Sequence, residues 1–280
     1  MSEIVQTEME RLPYTGATYH SPPGKPSLLA RRFPSFGFYR KLPGIVWRAG
    51  FKAKRGRYGD EEWIGSSHDT VRALERAGVY FEITGLDHLE GLGSSCVFIG
   101  NHMSVLETFA LPGLIRPLMP VTFIVKDSLL TYPVFGHVMR SRDPIAVGRT
   151  NPREDLRAVM EGGKERLGNG VSLIIFPQTT RTPAFDPAEF NTLGVKLARR
   201  ADVPIIPMAL LTNAWGTGKR FKDFGKIDPS KRVHLAFGEP FRVEGRGEAE
   251  HEAIISFIEG KLKEWGHTAL PPTDSREGAS

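Results

Sequence analysis

An α/β fold, with a mixed, largely parallel sheet flanked by helices, is predicted by two features of the sequence. From about residue 68 onward, helical and strand-like segments alternate, and several strand candidates are continuous apolar runs of the kind buried on both faces. The chain has 280 residues, 40% of them hydrophobic and 25% charged, enough apolar material for one large core or two small ones.

The elements follow in order. His68 to Ala77 has helical spacing, Val79 to Thr84 reads as a strand, and Cys96 to Gly100 as a short buried strand. Ser104 to Ile115 reads as a helix, Val121 to Val125 as extended, and Leu129 to Met139 as helical. A strand at Pro144 to Val147, a helix at Arg153 to Leu167 and an apolar strand at Val171 to Phe176 come next. A helix near Glu189 to Arg200, strands at Ile205 to Thr212 and Val233 to Phe237, and a last helix at Glu248 to Trp265 complete the set. No internal repeat or low-complexity tract interrupts them.

Four regions are expected. Residues 1–26, with Pro13, Pro22, Pro23 and Pro26, read as a poorly ordered lead-in, and 268–280, with Pro271 and Pro272, as a flexible tail. Residues 27–67 form a basic, aromatic segment ahead of the main domain at 68–267. The net charge of +5 is unevenly placed: from Arg11 to Gly59 there are eleven cations and no acid, so the rest of the chain is net negative. Phe33, Phe36, Phe38, Tyr39, Trp47 and Phe51 lie among those cations. Rings at headgroup depth beside Lys and Arg suit an anionic lipid surface. The alternatives are rings packed on the body with solvated cations, or a single-stranded nucleic-acid platform. No recognition-helix, zinc-finger or RNP pattern supports the latter, so a membrane lipid surface is the expected partner and nucleic acid is not.

The longest apolar run, Val203 to Leu211, contains two prolines and is far short of the ~20 residues of a membrane span. The first residues carry Glu3, Glu8 and Glu10 and no signal-peptide core, so the expected location is cytoplasmic, peripheral to the membrane. The single cysteine, Cys96, reads as a core residue, and the eight histidines show no i, i+3 or i, i+4 pair, so no metal site and no bound cofactor are expected.

Ligands in open α/β sheets bind beyond the carboxyl ends of strands. After the strand ending at Gly100 comes Asn101-His102-Met103-Ser104-Val105-Leu106-Glu107. On one helix His102 and Glu107 would point about 140° apart, but they can meet if His102 lies in the turn and Ser104 caps the helix. Glu107 would then orient the imidazole of a general base. The competing reading is a capping box, with Glu107 bonded to the Ser104 backbone N–H. Three further strand ends deliver Lys126, Arg149 and Arg181, which together suggest an anion site. A phosphate beside a general base is the implied chemistry.

With these residues in view, the sequence resembles the glycerolipid acyltransferases of the lysophosphatidate acyltransferase type over roughly residues 80 to 242. The family block Asn-His-x-Ser-x-x-Asp is similar to Asn101 to Glu107, and a strand ending in arginine to Ile145 to Arg149. Phe-Pro-Glu-Gly-Thr-Arg is similar to Phe176 to Arg181, and Val-Pro-Ile-x-Pro to Val203 to Pro207. Lys126 with Tyr132 to Gly136, and Phe237 to Pro240, resemble connecting and closing segments.

The resemblance implies transfer of a fatty acyl group from acyl-CoA or acyl carrier protein (acyl-ACP), as co-substrate, to a lysophospholipid hydroxyl, most simply that of 1-acyl-sn-glycerol 3-phosphate. It assigns His102 as base, Glu107 as its partner, and Lys126, Arg149 and Arg181 to the acceptor phosphate. Glu107 departs from the commoner Asp by one methylene. Gln178-Thr179 departs from Glu-Gly, and with Thr180 is assigned to positioning of acceptor or thioester. That departure leaves open another acceptor, such as a lyso-ornithine lipid or a lipid A precursor, and an inactive membrane-surface protein is the remaining alternative. Phe109, Leu111, Leu114, Leu129 and Phe135 are candidates for an acyl groove or plain core. The cationic stretch from Trp215 to Arg232 is either a solvated loop or a dock for an acidic carrier protein.

Overall fold

The computed structural model describes residues 11–12, 17–24, 26, 28–178, 180–219 and 221–267, so the expected tail at 268–280, much of the lead-in, and Thr179 lie outside the described residues. Eight strands among those residues form one sheet: β1 (Thr18–His20), β2 (Phe81–Thr84), β3 (Val97–Gly100), β4 (Val121–Lys126), β5 (Ile145–Val147), β6 (Ser172–Ile175), β7 (Ile205–Leu211) and β8 (Val233–Phe237), in the order β1-β2-β8-β7-β3-β6-β4-β5. The five from β7 to β5 are mutually parallel. Strand β8 runs antiparallel to β7, β2 parallel to β8, and β1 antiparallel to β2. The sheet is therefore mixed and largely parallel, as expected. Strands β3, β6 and β7 are buried along their whole length, which explains their unbroken apolar sequences.

Nine helices flank the sheet among the described residues: α1 (Leu28–Arg32), α2 (Pro34–Tyr39), α3 (Leu42–Lys54), α4 (Asp60–Arg76), α5 (Leu106–Ile115), α6 (Phe135–Arg140), α7 (Pro152–Gly168), α8 (Leu193–Ala201) and α9 (Glu248–Glu264). One core gathers Phe38, Leu42, Ile45, Trp63, Leu74, Leu111 and Phe123, from α2 to α5, against the sheet. A second, containing Val159, Leu167, Val195, Leu197, Ile254 and Ile258, lies under α7, α8 and α9.

Most elements differ from the sequence reading by at most two residues at an end, and the larger departures have local causes. Helix α4 begins at Asp60 rather than His68 because Asp60, Glu61 and Glu62 occupy its first turn, with Glu62 accepting from the Gly59 N–H at 2.9 Å. The boundary drawn between residues 67 and 68 thus falls inside a helix. The helix expected from Leu129 to Met139 is broken at Pro133, which holds Tyr132 extended at ψ 132°. A 3₁₀ turn (Asp127–Thr131) precedes the break and α6 follows it. Val134 there takes φ +64° and is tucked against Gly50 of α3, where a Cβ would come within 2.4 Å of the valine side chain. The helix expected from Glu189 divides similarly: Phe190 is extended, and Asn191 Oδ1 accepts from Leu193 N–H at 2.9 Å to start α8. Thr18–His20, inside the expected lead-in, forms β1 on the edge of the sheet.

The basic segment is helical from α1 to α3, and its aromatic residues divide between the two alternatives. Phe38 is buried in the core and packs edge-on against Trp215 at 4.7 Å, while Phe33, Phe36, Phe51 and Trp47, the last 65% exposed, face outward.

Candidate active site

The topology sends the carboxyl ends of five parallel strands to one edge, in the order β7, β3, β6, β4, β5. All the candidate residues leave the sheet at that edge. Asn101, just past β3, is fully buried and bonds both amide groups to the backbone of Leu210 on β7, donating at 2.7 Å and accepting at 2.8 Å. This extra rung extends the β3–β7 ladder beyond its last strand residue and fixes where His102 emerges.

His102 is held on three sides. Its N–H donates to Gln178 Oε1 at 2.7 Å, its carbonyl accepts from Thr182 N–H at 3.0 Å, and its ring stacks on Phe176 with centroids 4.2 Å apart and planes 6° off parallel. Nδ1 is bonded to Glu107 Oε2. The other carboxylate oxygen, Oε1, accepts from the N–H groups of Met103 (2.9 Å) and Ser104 (3.0 Å) and from Thr212 Oγ1 at 2.5 Å. The two sequence readings of Glu107 therefore hold together: one oxygen caps the turn and the other orients the histidine. Burying a carboxylate fully is costly unless its oxygens are hydrogen-bonded, and these partners supply those bonds. Because Nδ1 is committed to Glu107, Nε2 is the nitrogen placed for proton transfer.

Ser104 stands one residue outside the position expected of it, since Val105 is the N-cap of α5. Its Oγ still accepts from Leu106 N–H at 3.1 Å and lies 3.0 Å from Thr212 Oγ1, which makes a hydroxyl chain from Ser104 through Thr212 to Glu107. Sequence reasoning missed Thr212. The signal was present as a polar residue ending an all-apolar strand, beside the strand that carries His102. Cys96 is no rival nucleophile, because burial pushes its thiol up to about 12.

The structure distributes the cations along the edge. Arg181 follows β6, next to the histidine strand, and pairs with Asp223 Oδ1 at 2.6 Å. Lys126 ends β4 and is exposed. Arg149 follows β5 with φ +60°, a conformation clasped by Asp155, whose carboxylate accepts from the Gly148 and Arg149 N–H groups at 2.8 Å each. From strand spacing alone, Lys126 and Arg149 leave the sheet about 10 and 14 Å along the edge from His102. Thr180 is exposed. Gln178 is buried rather than open to a ligand: besides accepting from His102, its amide donates to Thr182 Oγ1 at 2.8 Å. Of the acyl-groove candidates, Leu111 and Leu114 are core, while Phe109 and Phe135 line a closed slot of about 20 Å³ against α3. Among the described residues, no group of three His, Cys, Asp or Glu side chains is placed to hold a metal ion.

The stretch after β7 is a tied loop. Trp215 is buried and donates from Nε1 to the Asp223 carbonyl at 3.1 Å, and Tyr39 of α2 donates to the Gly225 carbonyl at 2.5 Å. Gly225 lies so close to Gly216 that a Cβ would fall 1.7 Å from the Gly216 oxygen. Phe221 and Phe224 project outward from this loop, Phe221 at 68% exposure.

Residues 80–211, which carry the histidine, the glutamate and the three cations, match the acyltransferase family model. Over that stretch the chain is similar to the acyltransferase family. A 1-acyl-sn-glycerol-3-phosphate acyltransferase of Pseudomonas aeruginosa is 31% identical over 61% of this chain and 63% of its own length. A chloroplastic protein of the same description from Brassica napus is 28% identical over 49% of this chain and 38% of its own. The chain thus spans less than two thirds of the length of either relative. The crystal structure of a 1-acyl-sn-glycerophosphate acyltransferase, PlsC, from Thermotoga maritima shares the fold, with a TM-score of 0.62, 19% identity, and coverage of 83% of this chain and 94% of that one. Three of the four similar blocks, Asn101 to Glu107, Ile145 to Arg149 and Phe176 to Arg181, reach the carboxyl edge of the sheet, while Val203 to Pro207 leads into the start of β7.

Proposed function

We propose that the protein transfers a fatty acyl group from a thioester, acyl-CoA or acyl-ACP, to the free hydroxyl of 1-acyl-sn-glycerol 3-phosphate, giving phosphatidic acid. The observation that carries the proposal is the His102–Glu107 pair, in which a saturated buried carboxylate fixes the imidazole at a sheet edge lined with cations. As the acceptor oxygen attacks the thioester carbonyl, its proton passes to His102 Nε2. When the C–S bond breaks, the thiolate takes that proton from Nε2, so no acyl-enzyme is needed. Glu107 stabilises the imidazolium in between. Arg181, on the strand beside His102, binds the acceptor phosphate with Lys126 and Arg149. Asp223 holds the Arg181 guanidinium in place with other donors left over. Thr180 is exposed at the same edge and positions acceptor or thioester. Gln178 in place of glutamate suggested another acceptor; its buried side chain, accepting from the His102 N–H and donating to Thr182 Oγ1, accounts for it without one.

No helix among the described residues is long and apolar enough to cross a membrane. Docking is assigned to the exposed rings of Phe33, Phe36, Trp47 and Phe51, joined by Phe224 through its contact with Tyr39 and by Phe221 on the same loop, with the surrounding cations meeting anionic lipid of the cytoplasmic leaflet. This surface adjoins the loop that bears Asp223, so docking brings the reactive edge to the lipid.

The test is incubation with radiolabelled palmitoyl thioesters and lysophosphatidate in anionic vesicles, with products separated by thin-layer chromatography. Labelled phosphatidic acid is the expected product. Labelled product only from a lyso-ornithine lipid or a lipid A precursor would overturn the acceptor, and no product from any acceptor would overturn the enzymatic reading.

A further inference from the structure

A groove of about 690 Å³ runs between α7 and α8, on the opposite face of the sheet from α4 and α5. Its rim is cationic: Arg153 and Arg157 come from α7, and Lys196, Arg199 and Arg200 from α8. Glu161 is the single acid lining it, and that carboxylate is already bonded to Arg157 at 3.0 Å. The floor is apolar, formed by Met160 and by Leu156, a leucine left 47% exposed between two arginines. This is a different place from the cationic loop after β7, whose exposed rings belong to the lipid-facing surface.

The geometry points to this groove as the docking site for an acidic, helical acyl carrier protein, the donor partner in the acyl transfer proposed above, on which this inference rests. Charge complementarity selects the occupant. Five cations around an apolar floor fit the amphipathic helix of an acidic protein, its apolar ridge over Leu156 and Met160 and its acids on the rim. A bilayer is disfavoured because no aromatic ring lines the groove, whereas the exposed rings of α2, α3 and the β7–β8 loop belong with the other helical layer. A nucleic-acid strand would lack the stacking platform such strands use.

The position suits a donor. Helix α7 begins at Pro152, three residues beyond Arg149 on the reactive edge, and α8 follows the loop that carries Arg181. The groove occupies the first half of α7, so from Pro152 to Met160 it lies within about 12 Å of that edge along the helix axis. A carrier seated there can send its flexible prosthetic arm, with the thioester at its end, over the end of the helix toward His102.

The test uses the full chain and the triple variant Arg157→Glu/Lys196→Glu/Arg200→Glu, with Arg157→Ala/Lys196→Ala as a milder second variant. All three positions are exposed on helices, and circular dichroism melting confirms that the variants fold. Each protein is assayed with the same palmitoyl group on carrier protein and on CoA. The expected result is a rise of about tenfold or more in KM for the carrier-borne donor, kcat held, loss of the salt dependence of that KM, and unchanged kinetics with palmitoyl-CoA. Equal effects on both donors, or none on the carrier-borne donor, would overturn the inference, as would loss of vesicle binding in the variants. Binding of fluorescently labelled carrier protein is measured in parallel. If the wild type makes no product with either donor, the acyl-transfer reading fails by itself; the docking surface still stands if the wild type binds the carrier and the triple variant does not, and falls if the two bind alike or neither binds.

Discussion

Thr212→Val replaces a hydroxyl by a methyl on the residue that ties β7 to the His102–Glu107 pair. The hydroxyl supplies one of three donors to Glu107 Oε1, at 2.5 Å, and the other two are backbone N–H groups of Met103 and Ser104 that the substitution leaves in place. A hydrogen bond to a charged group is worth about 1.5–3 kcal/mol. If that loss is felt wholly in the alignment and charge of the pair, it corresponds to a fall in kcat of about 10- to 150-fold. The upper end is a ceiling, because two backbone donors to the carboxylate remain. KM for thioester and acceptor should stay within about twofold, since Thr212 is fully buried behind Glu107. Steady-state kinetics on wild type, Thr212→Val and Thr212→Ser, with melting curves for each, give the answer. Thr212→Ser keeps the hydroxyl and should recover most of kcat. A folded Thr212→Val protein with wild-type kcat, or a Thr212→Ser protein as impaired as Thr212→Val, would refute the reasoning.

Gln178→Leu leaves the His102 N–H without its acceptor and should cost about 1–3 kcal/mol in urea unfolding, whereas Gln178→Glu retains that acceptor and should cost less. Burial lowers the pKa of His234 against the opposing pull of Glu82, whose carboxylate lies 3.6 Å from Nδ1, and the ring stacks on Trp265 at 5.0 Å. The unfolded chain therefore takes up this proton first as pH falls, so the stability His234 contributes is full above about pH 6.5 and declines below it. The melting temperature should drop between about pH 7.5 and 5.5, and drop less in His234→Phe; an identical drop in both would contradict the assignment. Phe221→Ser/Phe224→Ser should weaken partitioning onto anionic vesicles by about tenfold or more, because a ring taken out of water is worth about 1.5–3 kcal/mol; unchanged sedimentation with vesicles would exclude the loop from the lipid surface.

The central fold was readable because β3, β6 and β7 are buried on every residue, and unbroken apolar runs declare themselves in sequence. Helices α2 and α3 were not read, since each begins with a proline in its first turn, where proline starts a helix as readily as it marks a loop. The first half of α4, Asp-Glu-Glu-Trp-Ile-Gly-Ser-Ser, has too few apolar residues to show its period. Its Ser67 nevertheless packs into α5, accepting from Gly113 N–H at 2.9 Å. In the site, His102 and Glu107 were legible because a turn brings close neighbours together. Thr212 and Asp223 were not, since they reach Glu107 and Arg181 only through sheet order and loop closure, 105 and 42 residues away in sequence. The place of Gln178 was misread for the same reason: its partners are a backbone N–H 76 residues earlier and a threonine four residues later.

The central claim is that the Glu107-held imidazole of His102 moves the proton in acyl transfer. Its most direct measurement is the rate of labelled phosphatidic acid formation by wild type and by His102→Ala at equal, verified fold, with lysophosphatidate in anionic vesicles and palmitoyl thioester as donor. General-base catalysis predicts a loss of about 10²- to 10⁴-fold or more in the variant with unchanged melting. A folded His102→Ala protein that forms phosphatidic acid at the wild-type rate would contradict it.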